Sequence, residues 1–135
     1  GPFAPRFEAG VQGADLALAA SVTAILVYND LMAVGTLTRL ADRGVAVPEQ
    51  MSVVGFDDIA MAAMSVPPLT TVAMPKERAG RAAVDLLMRV LDTHEGSGNS
   101  GKTEWQDLPA QLIVRSSTAL PSDNDARSSR PREKR

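Results

Sequence analysis

The sequence predicts an α/β fold, a parallel sheet with flanking helices. Three observations predict it. Residues 23–28 and 52–56 are short apolar runs rich in β-branched side chains, without polar alternation, as in strands covered on both faces. A helix-patterned segment lies between them. From Ala24 to Phe56 the chain runs 33 residues, the size of one βαβ unit, whose crossover is right-handed and whose strands are parallel.

Residues 1–22 open with Pro2 and Pro5, and Phe7, Gly10, Val11, Ala14, Leu16, Leu18 and Ala19 then form a rough helical stripe. The spacing predicts a helix over about 6–19, weakened by Gly10 and Gly13. After the first strand, Asn29 or Asp30 can cap the next helix. Leu31, Val34, Leu37 or Thr38, and Leu40-Ala41 carry that helix, with Arg43 in its last turn and Gly44 at C′. Residues 59–64 suit one or two helical turns before Pro67-Pro68 ends them, and 69–73 suit a short strand or crossing segment. Pro75 fits a helix start. Ala79, Ala82-Ala83, Leu86-Leu87 and Val90-Leu91 then form the cleanest stripe in the chain, a helix over about 76–93. Residues 94–102 read as a Gly/Ser/Asn loop, 104–108 and 110–116 as two short strands broken at Pro109, and 121–135 as a disordered basic tail.

The 135 residues are 44% hydrophobic and 4% aromatic, which suits one domain, or part of one, with an aliphatic core. There is no cysteine, which excludes disulfides and thiolate metal sites. Residues 1–120 carry a net −4 and residues 121–135 a net +2, so the body offers no general footprint for nucleic acid. No apolar run approaches the ~20 residues of a membrane span, and no contact with a membrane is expected. The start at Gly1 lacks both a signal-peptide pattern and an initiator Met, as expected of a processed or excised piece of a longer protein.

In open parallel sheets, ligands bind beyond the carboxyl ends of the strands. Each apolar run here ends in polar side chains, Asn29-Asp30 and Asp57-Asp58. Asn29 and Asp57 would emerge at one sheet edge. Together they offer two amide donors, an amide acceptor and a carboxylate acceptor, a set suited to hydroxyl-rich or amine-bearing small molecules. A second wall is needed to enclose such a ligand. Asp30 and Asp58 also fit as cap or turn residues. Catalysis finds little support. The single histidine, His94, sits beside the Gly/Ser loop, no other His or Cys is present, and neither phosphate-binding Gly motif occurs. Asp30, Asp57 and Asp58 could hold Mg²⁺ as hard oxygen ligands, but nothing adds a nucleophile or phosphate cradle. No metal and no cofactor is expected.

An ordered set of motifs runs along the chain. It comprises Thr23-Ala24-Ile25, Asn29-Asp30-Leu31-Met32-Ala33-Val34-Gly35, Arg43-Gly44, Val47-Pro48-Glu49 and Ser52-Val53-Val54-Gly55-Phe56-Asp57-Asp58-Ile59. Pro67-Pro68-Leu69-Thr70-Thr71-Val72, Gly80 and Leu112-Ile113-Val114-Arg115-Ser116-Ser117-Thr118 follow. Over roughly residues 7–119 this resembles the C-terminal part of the effector-binding domain of a lac repressor (LacI/GalR) family transcriptional regulator. The resemblance implies a type I periplasmic-binding-protein-like fold of two α/β lobes around a ligand cleft. Residues 1–120 would supply part of that domain, mainly its C-terminal lobe. Residues 74–108 would return to the N-terminal lobe, whose greater part lies outside this chain. Operator DNA would be reached only through a DNA-binding domain that this chain lacks.

The resemblance further implies that Asn29 and Asp57 contact a small polar effector such as a sugar. Met74 and Lys76 fall where relatives often place Gln and Phe at the cleft, which weakens the case for a neutral sugar and permits an anionic effector; Lys76 also reads as a solvated helix residue. A homodimer face would use Ala33, Val34, Leu37, Met61, Met64 and Ser65, and Met suits interfaces. Ordinary core packing is the other reading of Val34 and Leu37. The function expected is that of the ligand-sensing and dimerising portion of a cytoplasmic transcription regulator, not an enzyme. A transporter's solute-binding protein shares the fold and stands as the alternative. On this reading the 76–93 helix lacks sheet partners, leaving Leu86, Leu87, Val90 and Leu91 exposed.

Overall fold

The computed structural model describes residues 3–94 and 105–121. The chain divides into two compact units, one of residues 1–73 with 112–135 and one of residues 74–111. The expected basic tail and Gly/Ser loop fall almost wholly outside the described residues.

In the first unit, helix α1 (Phe7–Ala19) leads to strand β1 (Ala24–Leu26), helix α2 (Asp30–Asp42), strand β2 (Ser52–Phe56), the short helix α3 (Ala60–Met64) and strand β3 (Thr70–Ala73). In the second unit, helix α4 (Lys76–His94) has Leu87, Val90 and Leu91 exposed, as expected, while Leu86 is half-buried. Strand β4 (Gln111–Ile113) follows, and the sheet order is β1-β2-β3-β4. The first three strands are parallel, with Ile25 opposite Val53 and Gly55 opposite Thr71. The chain after β4 runs against β3: Ser116 N donates to Pro68 O at 3.0 Å, and Arg115 N to Thr70 Oγ1 at 2.9 Å.

Two expectations are corrected. Strand β1 is not covered on both faces. It lies at the sheet edge, with Ala24 exposed and Leu26 75% exposed. Residues 105–110 form no strand, and only Gln111–Ile113 of the expected 110–116 does so. Beyond that point side chains replace the ladder. Ser117 Oγ donates to Val53 O at 2.6 Å and accepts from Thr70 N at 2.8 Å, while Val53 N donates to Ser117 O at 2.8 Å. Ser117, itself outside any strand, thus staples β2 to β3.

The core is aliphatic. Val27, Met32, Ala33, Leu37, Leu40, Met51, Val53 and Leu69 are buried together with small residues of α1. Helices α1 and α2 touch backbone to backbone. A Cβ on Gly10 would overlap the Met32 carbonyl, and one on Gly35 the Phe7 carbonyl. The residue that lowers helix propensity in α1 therefore permits its packing, and Thr36 Oγ1 donates across the crossing to Gly10 O at 3.1 Å. At the rim, Asp15 takes Arg39 as a two-pronged partner, at 2.9–3.1 Å, and Arg43 Nη2 at 2.9 Å.

Asp30 is fully buried in the first turn of α2. One oxygen accepts from Thr71 Oγ1 at 2.5 Å, the other from Ile59 N at 2.9 Å. It thus ties α2 to β3 and to the turn after β2. Gly55 is the residue that leaves it room, because a Cβ there would overlap Asp30 Oδ1 and crowd Leu69 Cδ2.

Asp30→Ala orphans two donors that the fold buries or half-buries and should cost about 3 kcal/mol in urea unfolding, at about 1–3 kcal/mol per orphaned group. Gly55→Ala should also destabilise, and by less in the Asp30→Ala background than alone, since one collision partner is then gone. Equal costs in both backgrounds would contradict the contact. The hydrogen bonds and charge of Arg39, then Arg43, hold the Asp15 carboxyl below its ordinary range. A depressed folded-state value contributes stability above the unfolded value, near pH 4, and loses it as pH falls through the folded value. Asp15→Asn should therefore lower the melting temperature at pH 7 and leave it unchanged at a pH below both values.

Candidate functional site

The parallel strands end side by side, and the residues that leave β1 and β2 line an open depression of about 600 Å³. Leu26, Val27, Tyr28 and Asn29 come from the first strand end, Phe56 and Asp57 from the second. Asn29 and Asp57 are thus brought together, as the strand reading anticipates.

Asn29 carries two duties. It is the N-cap of α2, and its Oδ1 accepts from Met32 N at 2.9 Å. The amide acceptor expected for a ligand is therefore spent on the helix, and the Nδ2 donors remain. The capping question left open between Asn29 and Asp30 is settled for Asn29. Asp30 is neither cap nor site acid but the internal tie described above.

Asp57 and Asp58 differ as sharply. Asp58 Oδ1 accepts from Arg115 Nη2 at 2.7 Å. The Asp57 carboxylate makes no hydrogen bond or ion pair to another described residue, while its backbone N donates to Val72 O at 2.9 Å. Both residues hold positive φ, 108° at Asp57 and 49° at Asp58. Aspartate tolerates the left-handed region better than most residues, but 108° lies outside it, at a cost of order 1–3 kcal/mol. Strain of that kind persists where surrounding bonds over-determine the backbone.

Two aromatic rings border these polar groups. Tyr28 is 76% exposed and Phe56 half-buried. In the sequence both read as strand residues. The available signal was the position of each, directly before a polar residue at a strand end. The arrangement can offer amide donors, a carboxylate acceptor and flat apolar faces to a small molecule. Among the described residues, no group of His, Cys, Asp or Glu is disposed to hold a metal ion.

The other expected residues lie elsewhere. Met74 and Lys76 belong to the second unit, Met74 39% exposed and Lys76 exposed as the first residue of α4. Ala33 and Leu37, expected at a dimer face, are buried in this chain's own core. Their side chains fall on the face of α2 packed inward with Leu40. Val34 is half-buried, as is Ser65, whose hydroxyl bonds locally to the Ala62 and Pro67 carbonyls at 3.1 and 2.9 Å. Met61 and Met64 are exposed, Met64 at 72%. No helix among the described residues is long and apolar enough to cross a membrane.

Known proteins resemble this chain in sequence and fold. The family model described as a periplasmic binding protein-like domain matches residues 3–118. The HTH-type transcriptional repressor PurR of Haemophilus influenzae is 40% identical over 95 residues, 70% of this chain and 28% of that protein. The chain therefore spans under a third of that repressor's length. A LacI family transcriptional regulator from Enterococcus faecium, solved with bound ribose, superposes with a TM-score of 0.73 at 30% identity, over 87% of this chain and 42% of that one. The lac repressor dimer, solved on operator with the anti-inducer ONPF, gives a TM-score of 0.71 at 32% identity, over 84% of this chain and 38% of that one. The matched family model, the sequence identity and the matched fold lead to one conclusion: the chain belongs to the periplasmic binding protein-like domain family, as a segment of the kind found in LacI-type transcriptional regulators.

Proposed function

We propose that this chain is the effector-sensing and dimerising segment of a transcriptional repressor, and that Asn29 and Asp57 hold a small polar effector. One observation carries the reading. Asn29 Nδ2 and the Asp57 carboxylate, neither engaged by another described residue, border the same depression at the strand ends. The flanking Tyr28 and Phe56 rings favour an effector with a flat or ring-shaped apolar face. A sugar fits, as the ribose of the Enterococcus faecium regulator suggests. Dimerisation would use Val34, Met61, Met64 and Ser65. Contact with operator DNA would belong to a part of the protein outside these residues, and the site of action is the cytoplasm. No chemistry is asked of the site; the relatives matched are repressors.

The mechanism is a population shift. An effector that binds one arrangement of the parent protein better than another biases it toward that arrangement, by no more than its difference in affinity. Lys76 toward an anionic effector, and Met74 two residues before it, stand as separate proposals; Lys76→Gln should weaken only an anionic effector.

Operator-binding assays on the complete protein, read against a metabolite panel, test the site. Asp57→Ala should abolish the effector response and leave operator affinity unchanged. Asn29→Ser keeps an N-cap and removes the Nδ2 donors. It should leave stability within about 0.5 kcal/mol and still reduce the response. An effector response that survives both substitutions, with operator affinity unchanged, would refute the assignment of both residues.

A further inference from the structure

The turn after β2 holds a second carboxylate whose surroundings differ from those of Asp57. Asp58 meets Arg115, which is anchored on three sides. Its Nη2 reaches Asp58 Oδ1 at 2.7 Å, its Nη1 donates to Leu69 O at 2.8 Å, and its backbone N donates to Thr70 Oγ1 at 2.9 Å. Both side chains of the ion pair are largely shielded, at 20% and 30% exposure. The same turn is held by its amides: Asp57 N to Val72 O at 2.9 Å, Asp58 N to Thr71 Oγ1 at 3.4 Å and Ile59 N to Asp30 Oδ2 at 2.9 Å. Two of these are of normal length and the middle one is weak. The weakest backbone tie thus falls at Asp58, where the side chain is clamped by arginine. That residue follows the 108° backbone of Asp57.

We infer that Arg115 is a positioning residue for Asp57. Acting through Asp58, it holds the strained turn that places the Asp57 carboxylate at the depression. The inference rests on the reading of Asp57 as an effector contact. The guanidinium suits the task because its fixed fork bonds a carboxylate and a carbonyl at once, which an ammonium on a flexible stem reproduces only in part. A partly shielded ion pair that only supported the fold would, when broken, loosen the whole unit. A large local effect with a small global one therefore separates positioning from mere support.

Residue-resolved amide hydrogen exchange on the complete protein, with no ligand added, reads that effect. In Arg115→Gln, exchange at Asp57 and Ile59 should rise at least about tenfold through local opening. The amides of Val27 and Val45, bonded to Val54 O and Leu40 O, should keep their rates. Arg115→Lys should restore part of the protection. Asp58→Asn should reproduce the glutamine variant and add nothing to it in the double variant. Unchanged rates at Asp57 and Ile59, or an equal rise at Val27 and Val45, would overturn the inference. Because the readout needs no effector, it fails or succeeds independently of the effector response of Asp57→Ala.

Discussion

The Asp30 carboxylate is the interaction around which this unit is built. A buried carboxyl group is costly unless its oxygens are satisfied, and both oxygens here accept short hydrogen bonds. Their donors come from β3 and from the turn after β2, while the group itself rides on the first turn of α2. There the helix N-terminus favours negative charge. A single side chain thereby joins three elements that are distant in sequence. Its space exists because residue 55 has no Cβ. The pairing of Gly55 with Asp30 is a packing constraint as strict as any apolar contact in the core.

The site is a by-product of that arrangement. With Asp30 turned inward, the neighbouring Asn29 caps α2 and keeps its amide donors for solvent or ligand. Ile59 N is bound to Asp30 and the Asp58 carboxylate to Arg115, while Asp57 and Asp58 hold positive φ and the Asp57 carboxylate bonds to no other described residue. Each of the two adjacent pairs, Asn29-Asp30 and Asp57-Asp58, thus divides its labour. One member holds the fold and the other borders the depression. Strain at Asp57 is tolerated because bonds on both sides of it are made elsewhere.

Much of this was legible in the sequence. The βαβ unit, the helices before and after it and the meeting of Asn29 with Asp57 all follow from apolar periodicity and from where ligands sit on parallel sheets. The remainder turns on tertiary packing. Gly10 reads as a helix breaker until the backbone of α2 is seen against it. Residues 23–28 read as a doubly covered strand because run length and apolarity do not say whether a neighbour is present on each side. Leu37 shares a helical stripe with Val34, and periodicity alone does not say which side faces inward. Which member of each pair is spent internally depends on Ile59, Thr71 and Arg115, residues 29 to 57 positions away. No local pattern contains that information. The staple at Ser117 was hidden for the same reason, since a serine after a strand carries no sign of the two strands it joins.

The most direct measurement is a crystal structure of the complete protein with its effector bound. The effector is expected at the ends of β1 and β2, with Asn29 Nδ2 and the Asp57 carboxylate within hydrogen-bond distance of it, and with Asp30 and Asp58 still bound to Thr71 and Arg115. An effector seated elsewhere, or one held by Asp58 after release from Arg115 while Asp57 stays in water, would contradict the division of labour between the paired residues.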